Sequence, residues 1–174
     1  REVRASSEVP IIITSGNSAV EERVAGIELG ADDFLGKPYN SREIIAKITR
    51  LLSRSRGSQF SGRISRLAGS AEYLFSGFAL DTQAMSLTSP TGKDIALTTY
   101  EFLVLRSLVE RPNIVLSRAS LVDFVYAENS YGSERTIDNL ISRIRAKLSD
   151  YTDTNLVKTV RGVGYVFTGT VKLE

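Results

Sequence analysis

The sequence predicts two units in series, an α/β unit followed by an α+β unit. The first prediction rests on an order of strand, helix, strand and helix over residues 9–52, with strands that are short apolar runs. The second rests on short alternating runs over residues 73–97, followed by three helical patterns and a glycine-containing hairpin at the end. Three helices followed by a hairpin are the order of a helix-turn-helix domain with a wing.

Composition limits what the chain can do. Its 174 residues suffice for one ordinary domain or two small ones, and 42% hydrophobic residues are typical of globular proteins. With no cysteine and no histidine, the chain lacks a thiol nucleophile, the commonest general base and the commonest transition-metal ligand. No apolar run is long enough to cross a membrane and nothing resembles a secretory signal, so we expect a cytoplasmic protein without a membrane partner.

The amino-terminal unit begins with Val9–Thr14, a continuous run of mostly branched apolar residues that suits a strand buried in a parallel sheet. A helix is expected from Ala19 to Leu29, and Gly30 suits its end. Phe34–Leu35 form the second short strand, and an amphipathic helix follows from Ser41 to Leu52. Alternating strands and helices predict parallel strands in an α/β unit.

A linker and a mixed domain follow. Residues 54–72 are rich in serine, glycine and arginine, which predicts a flexible linker. An antiparallel sheet is predicted from four short runs, Tyr73–Phe75, Phe78–Leu80, Met85–Leu87 and Ile95–Leu97. Thr98 and Glu101 form a capping box for a helix that Pro112 stops, and Ser117 caps a second helix to about Tyr126.

The helix predicted over residues 133–148 carries the clearest functional pattern. Ser133 is a plausible N-cap, and Glu134 lies at the positive end of the helix dipole. The apolar positions make one stripe: Ile137, Leu140, Ile141, Ile144 and Leu148. The opposite face carries arginine and asparagine around small residues, so the helix can enter the major groove and bind base edges. The same pattern also describes an ordinary surface helix with a solvated basic face. Net charge is only +2, so DNA affinity depends on where the charges lie.

The motifs resemble those of one family. Leu97-Thr-x-x-Glu101-Phe102, Arg135-Thr-Ile-Asp138 and Thr159-Val-Arg161-Gly-Val-Gly164-Tyr165 resemble the OmpR/PhoB effector domain. Pro10–Gly16 and Gly30–Tyr39 resemble the second half of a two-component receiver domain. The resemblance implies the last two strand-helix units of a flavodoxin-like receiver over residues 1–53, a linker over 54–72 and a winged-helix DNA-binding domain over 73–174. It implies a DNA-binding transcriptional regulator of a phosphorelay system.

The resemblance also implies roles for individual residues. DNA contacts are expected from recognition helix 133–148 and wing 157–167, at Arg135, Thr136, Asn139, Ser142, Arg143, Arg145, Thr159, Arg161 and Tyr165. Arg161 corresponds to the arginine that enters the minor groove, whose negative potential attracts arginine. We expect Asp138 to orient Arg135 or Arg145. The implied partners are double-stranded promoter DNA, a second copy in a homodimer on DNA, and RNA polymerase at the loop Ala127–Gly132.

In the receiver part, the resemblance implies switch residues Ser15, Phe34 and Lys37, with a cis peptide bond between Lys37 and Pro38. It implies dimer-interface residues Arg23, Asp33, Glu43 and Lys47. The family's acidic Mg²⁺-binding pair and phosphoacceptor aspartate belong to strands that this sequence lacks. We therefore expect no cofactor, a sensor histidine kinase as partner of an intact receiver only, and a fragment that is poorly ordered alone or held by another chain.

Two other classes of function are considered. The first is an adaptor that contacts RNA polymerase through Ala127–Gly132, with DNA binding secondary. The second is an enzyme, such as an autodephosphorylating phosphotransferase, for which the phosphoacceptor aspartate is missing. Asp32 and Asp33 could be read as an acid/base pair, yet no partner base or nucleophile lies near them in sequence. We expect no enzyme.

Overall fold

The structure is a computed structural model that describes residues 7, 9–16, 19–39, 44–45, 47–48, 51–52, 72–126 and 133–174. The amino-terminal elements are β1 (Ile12–Ser15), α1 (Val20–Glu28) and β2 (Asp33–Gly36). The next elements are β3 (Glu72–Phe75), β4 (Phe78–Asp81), β5 (Ser86–Thr88), β6 (Asp94–Ile95) and α2 (Thr99–Val109). The last are β7 (Leu116–Ser117), α3 (Arg118–Tyr126), α4 (Glu134–Ser149), β8 (Val157–Val160), β9 (Gly164–Phe167) and β10 (Val171–Leu173).

The amino-terminal part is an α/β unit, as predicted. β1 pairs with β2 in parallel, with Ile12 opposite Asp33. α1 connects the two strands, and Ile27 on α1 and Leu35 on β2 are both buried. Gly30 has a φ of +99° just after α1, a left-handed conformation that glycine adopts without strain. Parallel pairing across a connecting helix is the arrangement that the alternating sequence pattern indicates.

A five-stranded sheet of order β10-β3-β4-β5-β6 opens the second part, and all of its pairs are antiparallel. β3 begins at Glu72, which the sequence placed at the end of the linker. β5 begins at Ser86, because Met85 occupies a turn with a φ of +53°. The sequence missed β10, whose Val171 pairs with Phe75 of β3.

The helices bury one side each against this sheet and against one another. The predicted capping box of α2 is present, since the Glu101 backbone N–H donates to Thr98 Oγ1 at 3.3 Å and the Thr98 backbone N–H donates to Glu101 Oε2 at 2.8 Å. Ser133 caps α4, as predicted, by accepting the backbone N–H of Thr136. The core is continuous from sheet to helices. Its largest fully buried side chains include Phe75, Phe78, Phe102, Phe167, Leu105, Leu121, Ile137 and Ile141.

The carboxy-terminal hairpin is part of a three-stranded antiparallel sheet of order β7-β9-β8. The hairpin was predicted, whereas β7 was not. Gly164 permits the third strand, because a Cβ atom there would lie 2.0 Å from the carbonyl oxygen of Leu116. Gly162, at the tip, has a φ of +73°, and a Cβ atom added there would point into open space. The two glycines therefore have different roles, close strand approach at one and turn geometry at the other.

Candidate nucleic-acid interface

Helix α4 is divided into a buried side and an outer side. The predicted stripe is confirmed, since all five of its members are buried: Ile137, Leu140, Ile141, Ile144 and Leu148. On the other side Arg135, Ser142 and Ala146 are exposed. Small side chains at 142 and 146 leave a surface of low relief beside the arginines. A groove of duplex DNA can approach such a surface closely.

Two polar side chains of this outer face are covered by α1. The Asn139 side-chain amide donates to Glu28 Oε1 at 3.3 Å. A guanidinium N–H of Arg143 donates to the backbone carbonyl oxygen of Glu28. Both acceptors are oxygens, as are several acceptors on base edges in the major groove. No local sequence pattern indicated Glu28, because the contact joins residues more than a hundred positions apart.

Two further cations of α4, Arg145 and Lys147, bind within the domain. Arg145 donates to the Val157 carbonyl oxygen at 2.8 Å and to Thr159 Oγ1 at 2.9 Å, so it fastens α4 to β8. Lys147 pairs with the buried carboxylate of Glu101 at 3.0 Å. These contacts hold α4 in place, and they engage an arginine that the resemblance had assigned to DNA.

The wing presents a basic tip. Arg161 is exposed at the turn between β8 and β9, and Lys158 and Thr159 are exposed on β8. The turn is closed by the Val163 N–H, which donates to the Val160 carbonyl oxygen at 3.0 Å. Lys158 was not among the predicted contacts. Its exposed position beside buried Val157 is what strand alternation predicts, so that signal could have identified it.

Two side chains expected on DNA are buried. Thr136 is fully buried and its hydroxyl lies 2.9 Å from the Ser133 hydroxyl. Tyr165 is 4% exposed and its hydroxyl donates to Asp138 Oδ1 at 2.5 Å. The cap of α4 holds the first side chain, and the inward face of β9 holds the second. In this conformation neither side chain is exposed, and their contacts with DNA stay predictions.

Asp138 binds neither Arg135 nor Arg145 in the hydrogen bonds of this structure, which corrects the expectation from sequence. Its carboxylate accepts from Arg118 Nε at 2.8 Å, in addition to the Tyr165 hydroxyl. The hydrogen bond that Arg118 donates to Asp138 raises the pKa of Arg118. Burial raises the pKa of Tyr165, and the hydrogen bond to Asp138 raises it further. Arg118 was missed because no sequence periodicity relates it to a partner twenty residues away.

Two of the three predicted receiver switch residues, Ser15 and Phe34, contact side chains of α1. Ser15 Oγ donates to Glu22 Oε2 at 2.9 Å. The Phe34 ring is half-buried, and the guanidinium of Arg23 lies 5.4 Å from its centroid. Lys37 is exposed, and its peptide bond to Pro38 is cis, as the resemblance implied. The switch roles of Ser15, Phe34 and Lys37 stay predictions.

The acidic residues nearby do not fit a Mg²⁺ site. Asp32 accepts the backbone N–H of Ile11 at 2.9 Å and that of Thr99 at 3.3 Å. Asp33 pairs with Lys47 at 2.9 Å, so two predicted dimer residues bind each other within the chain. Within the described ranges, no group of three histidine, cysteine or acidic residues could hold a metal ion. Glu43 lies outside the described residues.

Comparison with known proteins gives consistent matches. The family model described as "Transcriptional regulatory protein, C terminal" matches residues 92–167. The chain is 37% identical over 176 residues to the regulatory protein VirG of Rhizobium rhizogenes, covering all of this chain and 70% of VirG. It is 29% identical to the solved response regulator DrrB, a Thermotoga maritima OmpR/PhoB homolog, over 97% of this chain and 71% of that one, with a TM-score of 0.49.

A solved structure of a RitR mutant shares the fold. The match covers 96% of this chain and 70% of the RitR chain, with 22% identity and a TM-score of 0.58.

In the part of the chain that the structure describes, no helix is both long and apolar enough to span a membrane.

The fold and the divided α4 helix define a winged-helix DNA-binding protein preceded by a receiver-like α/β region. The relatives place it more narrowly. The chain belongs to the OmpR/PhoB family of two-component response regulators and is a DNA-binding transcriptional regulator.

Proposed function

We propose that α4 of this regulator enters the major groove of promoter DNA while the wing tip enters the neighbouring minor groove. Asn139 and Arg143 read base edges, and Arg135 and Ser142 contact the sugar-phosphate backbone. The observation that carries the proposal is the division of α4, whose apolar side is wholly buried while its opposite side is exposed at Arg135, Ser142 and Ala146. Arg161 fits the minor groove, where negative potential attracts a guanidinium.

The charge distribution supports this placement. From Asn139 to Leu148 the helix carries three cations and no acid. The one carboxylate just before this stretch, Asp138, is paired with Arg118 at 2.8 Å. Positive charge is thus concentrated on α4 and the wing although the net charge of the chain is only +2. The exposed cations, Arg135 on α4 with Lys158 and Arg161 on the wing, can contact phosphates and supply affinity that falls as salt rises.

DNA binding requires α1 to move away from α4. Glu28 accepts hydrogen bonds from both Asn139 and Arg143, so these two side chains cannot bind base edges while the contact persists. If only a fraction of the molecules has α1 away from α4, the apparent affinity for DNA equals the intrinsic affinity multiplied by that fraction. The conformation in which Glu28 binds α4 is therefore the closed form of the protein, and the DNA-bound form lacks the Glu28 contact.

The remaining partners extend the proposal. Two copies bind direct repeats about one helical turn apart. RNA polymerase is contacted through residues 127–132, which lie outside the described residues, and a sensor histidine kinase acts only on an intact receiver. The protein works in the cytoplasm, where its DNA lies, and performs no catalysis.

The alternative function is an adaptor that binds RNA polymerase, with DNA binding secondary. Such an adaptor would keep its complex with polymerase when both Arg143 and Arg161 are changed to alanine.

The test is the sequence dependence of Arg143→Ala. Binding is measured on the duplex that the wild-type protein selects and on random duplex. Loss of an arginine fork on guanine should cost about 1–3 kcal/mol on the selected duplex and much less on random DNA. Arg106→Ala is the matched control, because Arg106 lies on α2 and pairs with Glu110. An equal loss of affinity on both duplexes refutes a base-reading role.

A second variant separates wing from helix. Arg161→Ala should weaken binding to all sequences and reduce the slope of log affinity against log salt by about one. An unchanged slope would show that Arg161 does not meet DNA phosphate or the minor groove.

A further inference from the structure

The wing and the recognition helix are joined by a cluster of three polar side chains, Arg118, Asp138 and Tyr165. The Asp138 carboxylate accepts from Arg118 Nε at 2.8 Å and from the Tyr165 hydroxyl at 2.5 Å, with the same oxygen atom. The Arg118 guanidinium also lies 5.0 Å from the centre of the Tyr165 ring. One carboxylate on α4 thus holds the first residue of α3 and a residue of β9.

The geometry of the cluster limits how the wing can move. Tyr165 is opposite Thr159 in the β8–β9 pair and opposite Leu116 in the β7–β9 pair. Arg145 bonds the same Thr159 at 2.9 Å and lies 5.6 Å from the Tyr165 ring centre. Helix α4 is therefore tied to both wing strands, through Arg145 to β8 and through Asp138 to β9.

We propose that Arg118, Asp138 and Tyr165 are positioning residues that fix the wing tip relative to α4, so that Arg161 reaches the minor groove when α4 occupies the major groove. The inference rests on the proposed function. Hydrogen bonds to charged groups are shorter and stronger than neutral ones, which suits them to set a distance. Positioning matters because Arg161 lies four residues before Tyr165, at the turn between β8 and β9, where a small rotation at the base of the hairpin displaces the tip.

None of the three side chains needs to touch DNA for this role. Tyr165 is buried and Arg118 is half-buried against the tyrosine ring. Asp138 would be repelled by phosphate if its charge were unpaired, and the pairing with Arg118 at 2.8 Å removes that penalty. The cluster thus also explains why an acidic residue can occupy the recognition helix of a DNA-binding domain.

The experiment is a double-mutant cycle between Tyr165→Phe and Arg161→Ala on the selected duplex, with affinities measured over a range of salt concentrations. Tyr165→Phe removes one hydroxyl and keeps the ring, so the loss of affinity should be roughly two- to tenfold. In the Tyr165→Phe background, Arg161→Ala should have less effect than in the wild type and should no longer change the salt slope. Tyr151→Phe is the control, since its ring packs against Phe78 away from this cluster.

A purely structural role predicts a different result. Tyr165→Phe would then lower the free energy of unfolding while Arg161→Ala has the same effect on DNA binding in both backgrounds, and this result overturns the proposal. If Arg161→Ala has no effect even in the wild type, the proposed wing contact itself is wrong and the coupling falls with it. Asp138→Asn repeats the cycle with an unchanged tyrosine and should show the same reduced effect of Arg161→Ala.

Discussion

Gly164→Ala gives a stringent test of the wing. A Cβ atom at this position would lie 2.0 Å from the Leu116 carbonyl oxygen and 2.9 Å from the Ser117 Cα. Carbon atoms pack at about 3.5–4.0 Å, so β7 and β9 must separate by more than an ångström. The separation disrupts a pair of strands only two residues long. Overpacking strain of about 1–3 kcal/mol, together with one or two hydrogen bonds of about 1 kcal/mol each, gives a loss of about 2–5 kcal/mol.

The assay is urea unfolding followed by far-UV circular dichroism, with Gly162→Ala as the matched control. Gly162 has a φ of +73° and no atom within 4 Å of the added Cβ, so its substitution costs only the left-handed conformation, about 1–2 kcal/mol. Gly164→Ala should therefore be the more destabilising of the two, and it should weaken DNA binding through the displaced wing. Equal free energies of unfolding for the two variants would refute the close-approach argument.

Three further predictions concern the N-cap of α2, the contact of Glu28 with α4 and the titration of Tyr165. Thr98→Ala removes the N-cap of α2 and should lower the free energy of unfolding by about 1 kcal/mol, which urea titration would measure. Glu28→Ala removes the carboxylate that accepts from Asn139 but keeps the backbone carbonyl that accepts from Arg143; it should tighten DNA binding roughly two- to tenfold, whereas the exposed Glu21→Ala should not. Equal affinities of Glu28→Ala and the wild type would show that the Glu28 carboxylate does not oppose DNA binding. Burial raises the pKa of Tyr165 above its ordinary value of 10, and the hydrogen bond to Asp138 raises it further. The neutral tyrosine therefore contributes its full stabilisation below pH 10, and this contribution is lost as the pH rises through the raised pKa. Urea unfolding between pH 8 and 11 should show a steeper decline for the wild type than for Tyr165→Phe, and parallel curves would contradict the shift.

Local patterns predicted the parts of the fold that local interactions determine. The buried stripe of α4 follows from helical periodicity, and the Thr98 capping box follows from two residue types at fixed spacing. The parallel pairing of β1 and β2 follows from the alternation of strand and helix. The family resemblance added the cis bond before Pro38. In each case the structure confirms the prediction because the sequence signal and the structural cause lie within one element or one connection.

Long-range pairing explains the features that sequence reasoning missed. β7 has two residues and β10 has three, and each is defined by a partner strand distant in the chain. Runs this short carry no detectable period, so pairing alone identifies them. The wrong prediction for the partners of Asp138 has the same origin, because packing brings Arg118 and Tyr165 to it from distant parts of the chain. The Glu28 contact depends on how the two parts of the chain meet, which no local pattern encodes.

Sequence selectivity is the central claim, and selection from random duplex DNA with salt titration of the recovered sequences tests it most directly. We expect paired direct repeats about one helical turn apart, bound more tightly than random DNA at every salt concentration. Recovery of unrelated sequences that differ from random DNA in neither affinity nor salt dependence would contradict base reading by Asn139 and Arg143.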